Sequence, residues 1–159
     1  MQIIFAVLLS LAAVSSANAQ GALSPQELAT QVQTVIQSKN IDRIAEFIQP
    51  ETDPASTANF KSDLATYIGA EILSVYIVPK DDQEAIKKFM SESPIPGAVK
   101  PLDDRVKKYA AAGRLFNVSP LGDLVISGKR LGANSKRSMS SVIYGQSKGK
   151  YFIIFAKKK

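Results

Sequence analysis

Ile72-Leu73-Ser74-Val75-Tyr76-Ile77-Val78 is the stretch where the chain changes its hydrophobic period. β-Branched and aromatic residues crowd together and stop at Pro79, a pattern that predicts a strand. On its N-terminal side the apolar residues recur three and four positions apart, as helices require. Ser24-Pro25-Gln26-Glu27 supplies an N-cap, a proline at the first helical position and a capping-box glutamate. Leu23 and Leu28 stand at the spacing of a hydrophobic staple, and Leu28, Val32, Val35 and Ile36 form one stripe. Asn40 is placed to cap a second helix carrying Ile41, Ile44, Ala45 and Ile48, which Pro50 ends. After a turn at Glu51-Thr52-Asp53-Pro54, a third helix carries Phe60, Leu64, Tyr67 and Ile68 and stops at Gly69.

On the C-terminal side, Asp81 or Asp82 can cap a short helix with Ala85, Ile86, Phe89 and Met90. Ser93-Pro94-Ile95-Pro96-Gly97 breaks it, and a further helix is expected from Asp103 through Ala112, closed by Gly113. The remainder reads as an antiparallel meander. Leu115-Phe116-Asn117-Val118 and Leu124-Val125-Ile126 flank a turn at Ser119-Pro120-Leu121-Gly122-Asp123. A basic loop runs from Gly128 to Ser138. Two last strands, from Met139 to Tyr144 and from Tyr151 to Ala156, flank a turn at Ser147-Lys148-Gly149. Tyr151-Phe152-Ile153-Ile154-Phe155 is apolar on both pleat faces, which predicts a central, covered strand.

Helices first, then a strand, more helix and a meander make an α+β layout: N-terminal helices packed on a curved, mostly antiparallel sheet. This order, over residues 24–156, resembles the nuclear-transport-factor-2-like, cystatin-like superfamily. Ser141-Val142-Ile143-Tyr144 and Gly149-Lys150-Tyr151-Phe152-Ile153-Ile154 also resemble the ends of small exported bacterial proteins. The superfamily resemblance implies helices seated in the concave side of a bent sheet. It implies no one activity, since that superfamily holds isomerases, dehydratases and pure binding domains.

Residues 1–19 read as a secretory signal peptide. Ile3-Ile4-Phe5-Ala6-Val7-Leu8-Leu9 and Leu11-Ala12-Ala13-Val14 form an apolar core, and Ala17-Asn18-Ala19 is a small-x-small cleavage site. The segment before them carries no Lys or Arg. Cleavage between Ala19 and Gln20 leaves a single domain, residues 20–159, secreted or periplasmic. With no later apolar segment long enough to cross a bilayer, the mature chain is expected to be soluble and not an integral membrane protein. There is no Cys, so packing alone must hold the fold.

The absence of Cys and His also excludes cysteine nucleophiles, histidine-activated serines and Cys/His metal centres. No cofactor or metal is expected. Asp81-Asp82 and Asp103-Asp104 stand where helices should start, and capping explains them. Gly122 to Lys129 imitates a phosphate loop with the wrong spacing and without a following Ser or Thr. Ser147-Lys148-Gly149-Lys150 matches Ser-x-x-Lys, but in a hairpin turn rather than on a helix.

Charge is the remaining signal. The net formal charge is +6. Between Gln20 and Lys80 four basic residues meet seven acidic ones, so the rest of the chain carries an excess of nine positive charges, and no acid follows Asp123. In a meander, Arg114, Lys129, Arg130, Lys136, Arg137, Lys157, Lys158 and Lys159 are expected to converge around one rim, with Lys148 at the other end. A solvated basic tail is the plainer alternative. The expected function is an exported binding or accessory protein of unknown ligand, engaging a polyanion or an anionic membrane surface through that rim. Nucleic acid is disfavoured, because no aromatic is interleaved with the basic loop for stacking. The competing class is a small-molecule enzyme, isomerase or hydrolase, with a pocket between helices and sheet. Composition leaves the enzyme class open and leans against it.

Overall fold

The computed structural model describes residues 19–131 and 137–159. The expected leader, apart from Ala19, and Lys136 lie outside the described residues. The fold is α+β, with helices packed on a curled antiparallel sheet shaped like a half-barrel. Four α-helices and one 3-10 helix are described: α1 (Pro25–Gln37), the 3-10 helix (Ile41–Phe47), α2 (Pro54–Ala65), α3 (Gln83–Glu92) and α4 (Leu102–Ala111). The strands are β1 (Ile72–Pro79), β2 (Arg114–Leu115), β3 (Pro120–Lys129), β4 (Arg137–Ser147), β5 (Lys150–Ile153) and β6 (Lys157–Lys158).

Local chemistry starts most of the helices as the sequence predicts. The Ser24 hydroxyl accepts from the Glu27 amide at 3.0 Å as the N-cap, while Glu27 Oε2 accepts at 2.7 Å from the amide of Leu23, one residue before the cap, rather than from Ser24 itself. The staple does not close either: Leu28 is buried while Leu23 is exposed. Asp53 caps α2 through the Ser56 amide, and Asp82 caps α3 through the Ala85 amide. Asn40 makes no side-chain cap, and it opens a tight 3-10 helix rather than an α-helix. α4 begins at Leu102, two residues before the start that an Asp103 cap would give, and Asp103 lies in its first turn instead of capping it.

The main sheet has the order β1-β3-β4-β5, antiparallel throughout. Its two faces divide by alternation. Leu124, Ile126, Val142, Tyr144 and Ile153 face α1, the 3-10 helix and α2, and join Leu28, Val32, Ile36, Ile44 and Leu64 in the largest core. Residues of the opposite parity face α3 and α4. Val78, Val125 and Phe89 form one cluster there, and Leu102, Ile143, Phe152 and Ile154 another. Helices therefore cover both faces of the sheet, and the α1 face is packed rather than open.

Two expectations about the meander are corrected. The stretch from Ser119 to Asp123 is not a turn between two strands. Pro120 opens the ten-residue β3, and a register irregularity between Pro120 and Gly122 absorbs the proline. Gly122 is needed inside the strand, because a side chain there would strike the Val78 carbonyl oxygen and the Tyr144 ring. The predicted strand from Leu115 to Val118 shrinks to β2, which pairs with β6 away from the main sheet. The second correction concerns the last apolar run. β5 is an edge strand, not a central one. β5 stops at Ile153 rather than running to Ala156, but the run alternates as expected, with Phe152 and Ile154 against the α4 cluster and Tyr151, Ile153 and Phe155 in the larger core. Its outer edge is covered by Ala22, which bridges to Tyr151, and by Ile48, which bridges to Ile153. The β4–β5 turn has positive φ at Lys148 (50°) and Gly149 (76°), as a type I′ hairpin requires.

Candidate functional site

The basic residues fall into two sets instead of one rim. In the first, Ile72, Lys129 and Arg137 are successive cross-strand partners on β1, β3 and β4, and Arg130 comes directly after β3. Lys136, expected beside them, lies outside the described residues. In the second set, Arg114 pairs with Lys158 and Leu115 with Lys157 in the β2–β6 ladder, while the Lys159 amide donates to the Gly113 carbonyl. Arg114 and Ala156 lie beside Ser141, Val142 and Ile143, in the middle of β4. Four residues of strand, ~13 Å, separate Ser141 from Arg137. The sets part because the chain after Ile154 leaves the main sheet to pair with β2.

The basic groups are not free of acids in space. Arg137 Nη2 lies 3.7 Å from Glu92 of α3, and its Nε donates to the Ser127 hydroxyl at 2.8 Å. Lys157 lies 3.7 Å from Glu51. The Leu131 amide donates to Glu71, and Arg130 donates to the Ile68 carbonyl at 3.1 Å. Arg114 serves the fold: Nη2 donates to the Ala156 carbonyl at 2.7 Å, and the guanidinium stacks 5.6 Å from the centre of the Tyr109 ring. Among the described residues, Lys129, Arg130, Lys158 and Lys159 form no ion pair.

The first set has an apolar border that charge counting in the sequence missed. Ile72 and Leu131 are 53% and 59% exposed, one beside Lys129 across the ladder and the other beside Arg130 in the chain. Among the described residues, this corner presents two cations without an ion pair and two exposed aliphatic side chains, with the Glu71 carboxylate held beside them by the Leu131 amide. Exposed aliphatics are ordinary when they stand singly. Here they adjoin cations at one end of a rigid sheet.

On the α3 and α4 face lies a cavity of about 270 Å³. Val78, Ile86, Phe89 and Leu102 give it apolar wall, and Lys80, Lys100 and Asp123 are among its polar lining. Asp123 is buried and takes Arg105 Nη2 on both carboxylate oxygens, at 2.7 and 2.6 Å. Burial pushes its carboxyl above the ordinary range, against the opposing pull of Arg105. Tyr76 donates to Glu92 at 2.9 Å, and burial raises its phenol well above normal. Tyr144 is pushed up to about 12, chiefly by burial, with smaller contributions from Tyr151 and Asp123. None of these groups was singled out by the sequence as part of a site. An isolated acid between apolar residues, as in Leu121-Gly122-Asp123-Leu124, was the available sign. The chain matches no family model, no curated protein and no solved structure.

Proposed function

We propose that this chain is an exported binding or accessory domain that docks on an anionic membrane surface through the corner of Ile72, Lys129, Arg130 and Leu131. The observation that carries the proposal is the pairing of two unbridged cations with two exposed aliphatic residues at one end of the sheet. A basic residue near an anionic leaflet contributes ~1 kcal/mol. Lys129 and Arg130 therefore supply weak, reversible attraction, and Leu131 and Ile72 add shallow burial among headgroups. A soluble polyanion would use the cations and leave the aliphatics in water. Export rests on the leader pattern of residues 1–19.

Catalysis is the second class and fits less well. An acid–base group needs an affinity for protons near the working pH. Asp123 is clasped by Arg105, and Tyr144 is pushed up to about 12. Both groups suit a structural role.

Co-sedimentation with vesicles tests the membrane proposal. Binding to anionic vesicles should exceed binding to zwitterionic ones and fall steeply between low and physiological salt. Leu131→Ser should weaken vesicle binding and leave heparin retention unchanged. Equal binding to both vesicle types, or a Leu131→Ser variant with undiminished vesicle binding, would overturn the membrane assignment.

A further inference from the structure

We infer that the cavity between α3, α4 and the sheet is a binding site for a small amphiphilic anion, a molecule with one acidic head and a short apolar body. At about 270 Å³ the cavity falls just below the usual ~300 to 1,000 Å³ of ligand pockets, which limits it to a small ligand. Its lining divides by chemistry. Val78, Phe89 and Leu102 are buried and, with half-buried Ile86 and Val99, give a continuous apolar wall. Lys80, Lys87 and Lys100 line it as well, against the carboxylates of Asp103 and Asp123.

The charges decide the ligand class. Asp123 is already neutralised by Arg105, so Asp103 is the lining carboxylate without a cationic partner among the described residues. Lys87 meets Glu84 at 3.2 Å, but both side chains are more than two-thirds exposed, and such a pair is weak and readily exchanged. With Lys87 paired to Glu84, Lys80 and Lys100 remain in the lining beside one unpaired carboxylate, that of Asp103. A cationic amphiphile meets like charge, and a neutral one leaves the lysines unused. An anionic head on an apolar body answers both parts of the lining.

The cavity is also built rather than left over between loosely packed helices. Arg105 holds two of its walls at once. Its Nη2 binds Asp123 on β3, and its Nε donates to the Lys100 carbonyl at 3.1 Å. Pro101 stands beside Lys100, and Pro94 and Pro96 lie in the connection from α3, where fixed φ angles restrain the backbone. The site is independent of the membrane corner. It adjoins Val78 and Lys80 at one end of β1, whereas Ile72 is at the other end.

Titration of isotope-labelled full chain with three probes of equal tail tests the inference: octanoate, octanol and octyltrimethylammonium, each kept below micelle formation. Octanoate should give saturable shifts confined to Val78, Lys80, α3 and the segment from Val99 to Asp103. Octanol should bind about tenfold more weakly, the loss of one charge-assisted contact, and the cation should not saturate. Lys80→Gln with Lys100→Gln should weaken octanoate about tenfold and leave octanol unchanged, which separates loss of the head contact from collapse of the pocket. Val99→Phe, which fills the cavity from a half-buried position, should abolish binding of both. The site is refuted if octanoate and the cation bind equally, if the shifts spread over basic residues elsewhere, or if the double lysine variant binds octanoate as the parent does.

Discussion

Arg105 and Asp123 show how much one buried pair can organise. Asp123 comes from β3 and Arg105 from α4, and their contact at 2.6 Å fixes that helix on the sheet. Removing one partner of such a pair leaves an uncompensated buried charge, which costs ~3–5 kcal/mol. Arg105→Met is therefore expected to lower the free energy of unfolding by about that amount. The double variant Arg105→Met with Asp123→Leu should recover much of the loss, because two apolar groups ask for no partner. Denaturant titration of the parent, Arg105→Met, Asp123→Leu and the double variant checks this. Additive losses would mean that the two side chains do not act as a pair. Tyr144 carries a second expectation. Its phenol ionises at about 12 in the folded chain and near 10 when unfolded, so the folded state keeps its proton longer. Stability is fully present below about pH 10 and falls as pH rises toward 12, at up to ~1.4 kcal/mol per unit for this group. Tyr144→Phe should flatten part of that decline, with Tyr67 and Tyr76, also raised, retaining the rest. An alkaline limb identical in parent and variant would contradict the assignment.

At the scale of elements, β5 is short but covered on both faces. Phe152 is 6% exposed and packs with Leu102, Ile143 and Ile154. Phe152→Ala should cost ~3–5 kcal/mol, the usual penalty for a buried phenylalanine. A loss under ~1 kcal/mol would mean the strand is not part of the core. The alternation of β5 was legible in the sequence because a two-residue period survives any neighbour. Its place at the sheet edge was not, because Ala22 and Ile48 cover it from far away in the chain. The Ser24 N-cap of α1 was legible because it is entirely local. The strand nature of Pro120 and Gly122 was hidden, since both residues favour turns unless a tertiary partner demands otherwise. Here the Val78 carbonyl and the Tyr144 ring make that demand. The two-set division of the basic residues was hidden for a related reason. A run without acids in the sequence says nothing of Glu51, Glu71 and Glu92, which other elements bring beside it.

The whole molecule is a sheet with helices on both faces, and its charge is sorted along the length of β4. The corner of Lys129 and Arg130 lies at one end, and the hairpin of Lys148 and Lys150 at the other, ~33 Å of strand away. These two positions permit a comparison at constant net charge. The most direct test of membrane docking is the partition onto anionic vesicles of Lys129→Gln/Arg130→Gln and Lys148→Gln/Lys150→Gln, measured side by side at low salt. Docking at the corner predicts that the first variant loses most of its binding and the second keeps most of it, with both unfolding like the parent. Equal loss in the two would show that overall positive charge alone holds the protein to the surface, and would contradict a localised site.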